Sequence, residues 1–155
     1  YAPIDTIVIG DISGDAVPDL AQLARRIDNG ASRIQVKASD SGTTISNAFT
    51  GDTNIPISIT SINDINGNGS PEIALLVANP AGVAQITVWD SATGSFVRNV
   101  FTAAVGSPYG VAVLSDGTDA GDSEEIAVLG DNAGQRRVQV KDTGNGTQIN
   151  TLNFP

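Results

Sequence analysis

The sequence contains no cysteine, no histidine and no methionine, and has only seven aromatic residues: four Phe, two Tyr and the single Trp89. Without His or Cys there is no Ser-His-Asp triad, no thiol nucleophile, no typical zinc site and no haem ligation. The scarcity of aromatics means that any core is built from Ile, Val, Leu and Ala. Eight basic residues stand against seventeen acidic ones, for a net charge of −9. That balance argues against nucleic acid as a partner, because phosphate recognition needs clustered Lys and Arg. No apolar run reaches the ~18 residues of a membrane span. No charged segment followed by an apolar one opens the chain as a leader would. Tyr1 in place of an initiator Met points to a processed chain or a piece of a longer one. Absence of cysteine assigns no compartment, since exported proteins are built both with and without disulfides.

What is present is a threefold repeat. Pro3, Pro56 and Pro108 each stand eight residues before an aspartate, at Asp11, Asp64 and Asp116. Ile34, Ile86 and Val138 are spaced by 52 residues, as are Val36, Val88 and Val140, and Gly42, Gly94 and Gly146. Within each unit the pattern is β. Arg33-Ile34-Gln35-Val36-Lys37 alternates polar and apolar residues at period two. Asp90-Ser91-Ala92-Thr93-Gly94 and Asp142-Thr143-Gly144-Asn145-Gly146 have the chemistry of hairpin turns. Residues 19–27 have local helical character, but their counterparts Ile73–Val77 and Ile126–Leu129 are short apolar runs. The repeat therefore makes this segment a strand, overriding propensity.

Four strands per unit suit one blade of a β-propeller. The expected fold is all-β: three four-stranded blades over residues 1–52, 53–104 and 105–155. Three blades leave two faces open, and propellers usually have ~4 to 8. Either further blades complete the ring, or copies associate into a closed homo-oligomer or a filament.

The loop after the first strand of each unit carries oxygen at alternate positions. Loop one presents Asp11, Ser13, Asp15 and Asp19, with the Val17 carbonyl at position seven. Loop two presents Asp64, Asn66, Asn68 and Glu72, with the Ser70 carbonyl. An oxygen-only shell of this kind suits Ca²⁺. Carboxylates brought to about 4 Å repel by ~4 kcal/mol at an effective dielectric of 20, and a divalent cation reverses that sign. Loop two has less charge than loop one and, at equal rigidity, should bind more weakly. Loop three is one residue longer, with Asp116, Asp119, Asp122 and Glu125 as candidate ligands in an uncertain register. Loop two begins like an EF-hand, but Leu75 stands where that motif needs Glu, and a strand follows.

The segments Gly10–Ala21 and Asp64–Ala74 resemble the FG-GAP/VCBS repeat of integrin α-subunit propellers and of bacterial surface and secreted proteins. The resemblance implies propeller blades, a Ca²⁺ in the first interstrand loop and an extracellular or cell-surface setting. It covers the chain through its three repeats. The expected function is a non-enzymatic scaffold or recognition module for adhesion or assembly, with a protein or glycan partner. Two alternatives stand beside it: the propeller portion of a secreted polysaccharide-degrading enzyme, and a self-assembling structural protein. Glu124-Glu125 is an acid pair of the kind used in glycoside hydrolysis, but adjacent acids seldom share one pocket face. Trp89 fits packing between blades better than sugar stacking.

Overall fold

The computed structural model describes residues 1–51, 53–114 and 123–155, with only the backbone described for 101–104. The described residues form eleven strands and no helix. Strands β1 (Ala2–Ile9), β2 (Asp19–Arg25), β3 (Ser32–Lys37) and β4 (Thr44–Thr50) make an antiparallel meander in chain order. Strands β5 (Ile55–Ile62), β6 (Glu72–Ala78), β7 (Val83–Asp90), β8 (Phe96–Leu114), β9 (Glu125–Asn132), β10 (Gln135–Asp142) and β11 (Gln148–Phe154) form a second sheet, also in chain order.

The second sheet holds two meanders joined through β8. Phe96–Phe101 of that strand pairs with β7, and Pro108–Leu114 pairs with β9. The repeat predicts two separate strands here, over 96–101 and 109–114. They merge because the connection stays paired: Gly106 is opposite Val83 on one side and Asp131 on the other. Between the first and second units, by contrast, the ladder stops at Thr50 and resumes at Ile55.

The repeated landmarks have local physical causes. Each repeated proline marks a register shift, at Pro3/Asp5, Pro56/Ser58 and around Pro108. Proline has no N–H to give the ladder, so the pairing skips there. Residues 19–25 are strand, as the repeat requires, with Leu23 opposite Ile34. Gly42, Gly94 and Gly146 close the β3–β4, β7–β8 and β10–β11 turns with φ of 71°, 73° and 76°. Each donates its amide back to the first residue of its turn, over 2.8–2.9 Å.

These turns yield a graded prediction. Alanine at either Gly94 or Gly146 costs about 1–2 kcal/mol for its left-handed backbone. Beside Gly146 there is open space, whereas a Cβ on Gly94 would overlap the Asn47 carbonyl of the first unit. Gly94→Ala should therefore lose about 1–3 kcal/mol more than Gly146→Ala in urea unfolding.

The core lies between units. One cluster joins Ala21, Leu23, Ile34, Val36 and Ala48 of the first unit to Ile59, Ile73, Leu75 and Val77 of the second. The other joins Ala74, Leu76, Ile86, Val88 and Val100 of the second unit to Val105, Ile126 and Val128 of the third. Alternate residues of β6 thus face opposite neighbours, which is why all seven are buried. Hydrogen bonds add to the contact: Ile59 N–H donates to Asp5 Oδ2 (3.0 Å), Ser46 Oγ to the Ser91 carbonyl (2.5 Å), Asn63 N–H to Glu124 Oε2 (2.7 Å) and Arg98 Nη1 to the Thr143 carbonyl (3.2 Å).

The outer faces of the first and third units have no such cover among the described residues. Leu129, Leu152 and Leu114 occupy the repeat positions of Leu76, Val100 and Ile62, yet are 40–44% exposed where those three are at most 2% exposed. Trp89 packs against the first cluster and meets the Phe96 ring edge-on at 5.5 Å, a packing role as its sequence position suggests.

Candidate metal centre

The first two acidic loops are close copies in three dimensions. In loop one, Asp11 Oδ1 accepts the amides of Gly14 (2.6 Å) and Asp15 (3.2 Å), and Oδ2 accepts that of Ala16 (2.7 Å). In loop two, Asp64 Oδ1 accepts the amides of Gly67 (2.6 Å) and Asn68 (3.2 Å), and Oδ2 accepts that of Gly69 (2.7 Å). The curl requires positive φ at the fourth and sixth positions: Gly14 (82°) and Ala16 (68°), Gly67 (81°) and Gly69 (87°). Only glycine adopts that region without strain, so Ala16 costs loop one about 1–2 kcal/mol relative to its counterpart Gly69.

The ninth-position acids do something different. Asp19 and Glu72 begin β2 and β6 and are fully buried. Asp19 Oδ2 accepts the amides of Ile12 and Ser13, both at 2.8 Å, and Glu72 Oε2 accepts that of Ile65 at 2.7 Å. Each carboxylate therefore anchors its own loop from beneath.

Of the other expected ligands, Ser13 Oγ bridges Asp11 (3.2 Å) and Asp19 (3.4 Å), bringing three of the five loop-one residues together. Asp15 and Asn68 instead turn their side-chain oxygens onto the amides of Val17 (2.7 Å) and Ser70 (2.8 Å). Asn66 Oδ1 accepts the Asn68 amide at 3.0 Å. Asp116, Asp119 and Asp122 lie outside the described residues. Glu125 is fully buried, opposite Asp142 in the β9–β10 ladder.

Asp90 belongs to the loop-two cluster although loop spacing does not suggest it. It is buried and directly opposite Glu72 in the β6–β7 ladder. Its Oδ1 accepts the Thr93 amide (2.6 Å) and hydroxyl (2.8 Å), which is the turn chemistry read from the sequence. Its Oδ2 accepts the side-chain amides of Asn66 (2.8 Å) and Asn68.

The electrostatics follow from this geometry. The Ala16 amide, helped by those of Gly14 and Asp15 against some desolvation, holds the Asp11 carboxyl below the usual range. The Gly69 amide does the same for Asp64, with those of Gly67 and Asn68. Burial disfavours ionisation of Asp90, but bonds from Asn66, Thr93 and Asn68 outweigh it and hold the carboxyl low. Glu72 goes the other way. Burial pushes it up, the charges of Asp64 and Asp90 add to that, and the Ile65 amide only partly opposes them.

Among the described residues, no three His, Cys, Asp or Glu side chains converge closely enough to form a metal cage by themselves. The oxygens of loops one and two are largely turned onto the loops' own amides. One observation fits a cation at loop two: Glu72 Oε1 is buried and lacks a hydrogen-bond partner.

No family model and no curated protein matches this sequence. Solved structures do match. Rhamnogalacturonan lyase PL11 of Bacillus licheniformis is 15% identical, with a TM-score of 0.69 over 99% of this chain and 34% of its own. The exotype rhamnogalacturonan lyase YesX is 15% identical, with a TM-score of 0.67 over 99% of this chain and 33% of its own. The chain thus spans about a third of the length of these lyases and has the fold of that third.

Proposed function

We propose that the three meanders are consecutive blades of a larger, calcium-stabilised β-propeller, acting as framework in an extracellular polysaccharide-degrading protein of the rhamnogalacturonan lyase kind. The likeness to such lyases over nearly the whole chain, but only a third of theirs, carries this reading. It favours the polysaccharide-linked alternative over an adhesion module of the FG-GAP type. The apolar outer face of the third unit agrees, because the same positions of the second unit are covered by a following blade.

In this reading Asp11, Ser13, Asp15, Asp19 and the Val17 carbonyl would hold one Ca²⁺, and Asp64, Asn66, Asn68, Glu72 and the Ser70 carbonyl a second. The cation supplies positive charge where carboxylates crowd. The chain's own residues supply the frame: Asp11 and Asp64 curl their loops through backbone amides, while Asp19 and Glu72 tie the loops to β2 and β6.

The test is rhamnogalacturonan presented to the purified chain, with binding measured by affinity electrophoresis and cleavage by the appearance of unsaturated ends. Retarded migration without cleavage is the expected outcome for a framework segment. Absence of both retardation and cleavage, with and without millimolar calcium, would contradict the polysaccharide assignment.

A further inference from the structure

Loop spacing alone ranks loop two as the weaker cation site, yet the ladder beneath it points the other way. Glu72 and Asp90 face each other across β6 and β7, at most 3% exposed, and no ion pair to either is found among the described residues. Like charges directly opposite on neighbouring strands destabilise a sheet, more so when buried. Two features show how the fold meets that charge without a cation. The side-chain NH₂ groups of Asn66 and Asn68 converge on the single oxygen Asp90 Oδ2, pointing the positive ends of two dipoles at it. Glu72 Oε1, fully buried, has no hydrogen-bond partner among the described residues. Two amide dipoles crowded onto one oxygen, beside an orphaned carboxylate oxygen, are what remains when a positive charge belongs there.

Resting on the calcium reading above, we propose that Asp90 is a further ligand of the loop-two centre, and that this cross-strand acid makes loop two the tighter site. On binding, Asn66 and Asn68 turn their amide oxygens, rather than their NH₂ groups, toward the centre. Asp90 Oδ1 stays on Thr93, so one carboxylate both shapes the β7–β8 turn and lends Oδ2 to the cation. The repeat supplies an internal control. The position of Asp90 is filled by Asp142 in the third unit, opposite Glu125, but by Ala38 in the first, beside Asp19. Loop one thus lacks this ligand, and its Asp19 oxygens accept Ile12, Ser13 and Ser39 amides instead.

Calorimetric titration of the whole chain with CaCl₂ tests the assignment on three proteins: wild type, Asp90→Asn and Ala38→Asp. Asp90→Asn keeps an oxygen for the Thr93 turn and removes the charge, so the fold survives; near-identical circular dichroism confirms it. The loop-two site, tighter than loop one in wild type, should weaken roughly tenfold or more in Asp90→Asn, while loop one, the weaker of the two, stays unchanged. Ala38→Asp should tighten the weaker site by a similar factor. Wild type that binds calcium, with an Asp90→Asn isotherm superimposable on it, overturns the role of Asp90 and leaves the calcium reading standing. Wild type that binds no calcium at millimolar concentration overturns both.

Discussion

Truncating Leu23 or Leu76 to alanine should cost about 2–5 kcal/mol each, whereas Leu129→Ala in this chain alone should cost less than about 1 kcal/mol. The three leucines occupy one repeat position, on β2, β6 and β9. Leu23 and Leu76 are 0% exposed because the second and third units cover them, and Leu129 is 40% exposed because no described residue covers it in the same way. Since a domain's whole stability is about 5–15 kcal/mol, either of the first two losses is large. Equilibrium unfolding in urea gives all three values. A further blade over the third unit, as in a longer propeller, would raise the cost at Leu129 to that at Leu76. Comparing the isolated chain with one extended by another repeat therefore reads the effect of such a neighbour directly. Equal costs at all three positions in the isolated chain would contradict the packing scheme.

The second large effect concerns Glu72 and has opposite signs with and without calcium. Because its folded-state carboxyl titrates above the usual glutamate range, the native protein holds that proton where the unfolded chain has lost it. Stability contributed by this group is therefore present at low pH and lost as pH rises from the ordinary glutamate value through the raised one. Once ionised, the half-orphaned carboxylate is a burden. Glu72→Gln keeps an oxygen for the Ile65 amide and removes the charge. Without calcium at pH 7 it should raise stability by roughly 1–3 kcal/mol, the usual cost of an unsatisfied buried group. It should also flatten the fall in stability as pH rises above the ordinary glutamate range. With calcium the order reverses: when the cation stands at about a thousand times the loop-two Kd, wild type gains about 4.1 kcal/mol from that site, which Glu72→Gln forgoes. Melting temperatures across pH, in EDTA and in CaCl₂, check both signs.

Much of this was legible in the residues because the cause of each feature is local. A proline that cannot pair, a glycine held left-handed at a turn, and strict alternation along β3 each act within a few residues. The repeat then settled what propensity could not, making strand of residues 19–25 despite their helical composition. What escaped were long-range pairings. The fusion of two expected strands into β8 depends on Gly106 finding partners on both sides. Asp90 sits eighteen residues beyond Glu72, and only the β6–β7 register places them face to face. In isolation the Asp90-Thr93 pairing reads as an ordinary turn, which it also is. Spacing alone also does not reveal that the ninth-position acids, buried at the starts of β2 and β6, anchor their loops from beneath.

The most direct test of the account is an electron-density map from crystals grown in millimolar CaCl₂. A strong peak inside loop two, with oxygens of Asp64, Glu72 and Asp90 about 2.3–2.6 Å away, is the predicted result. A peak there bound only at hydrogen-bonding range, about 2.7 Å or longer, with the Asn66 and Asn68 amides still turned onto Asp90, would contradict it.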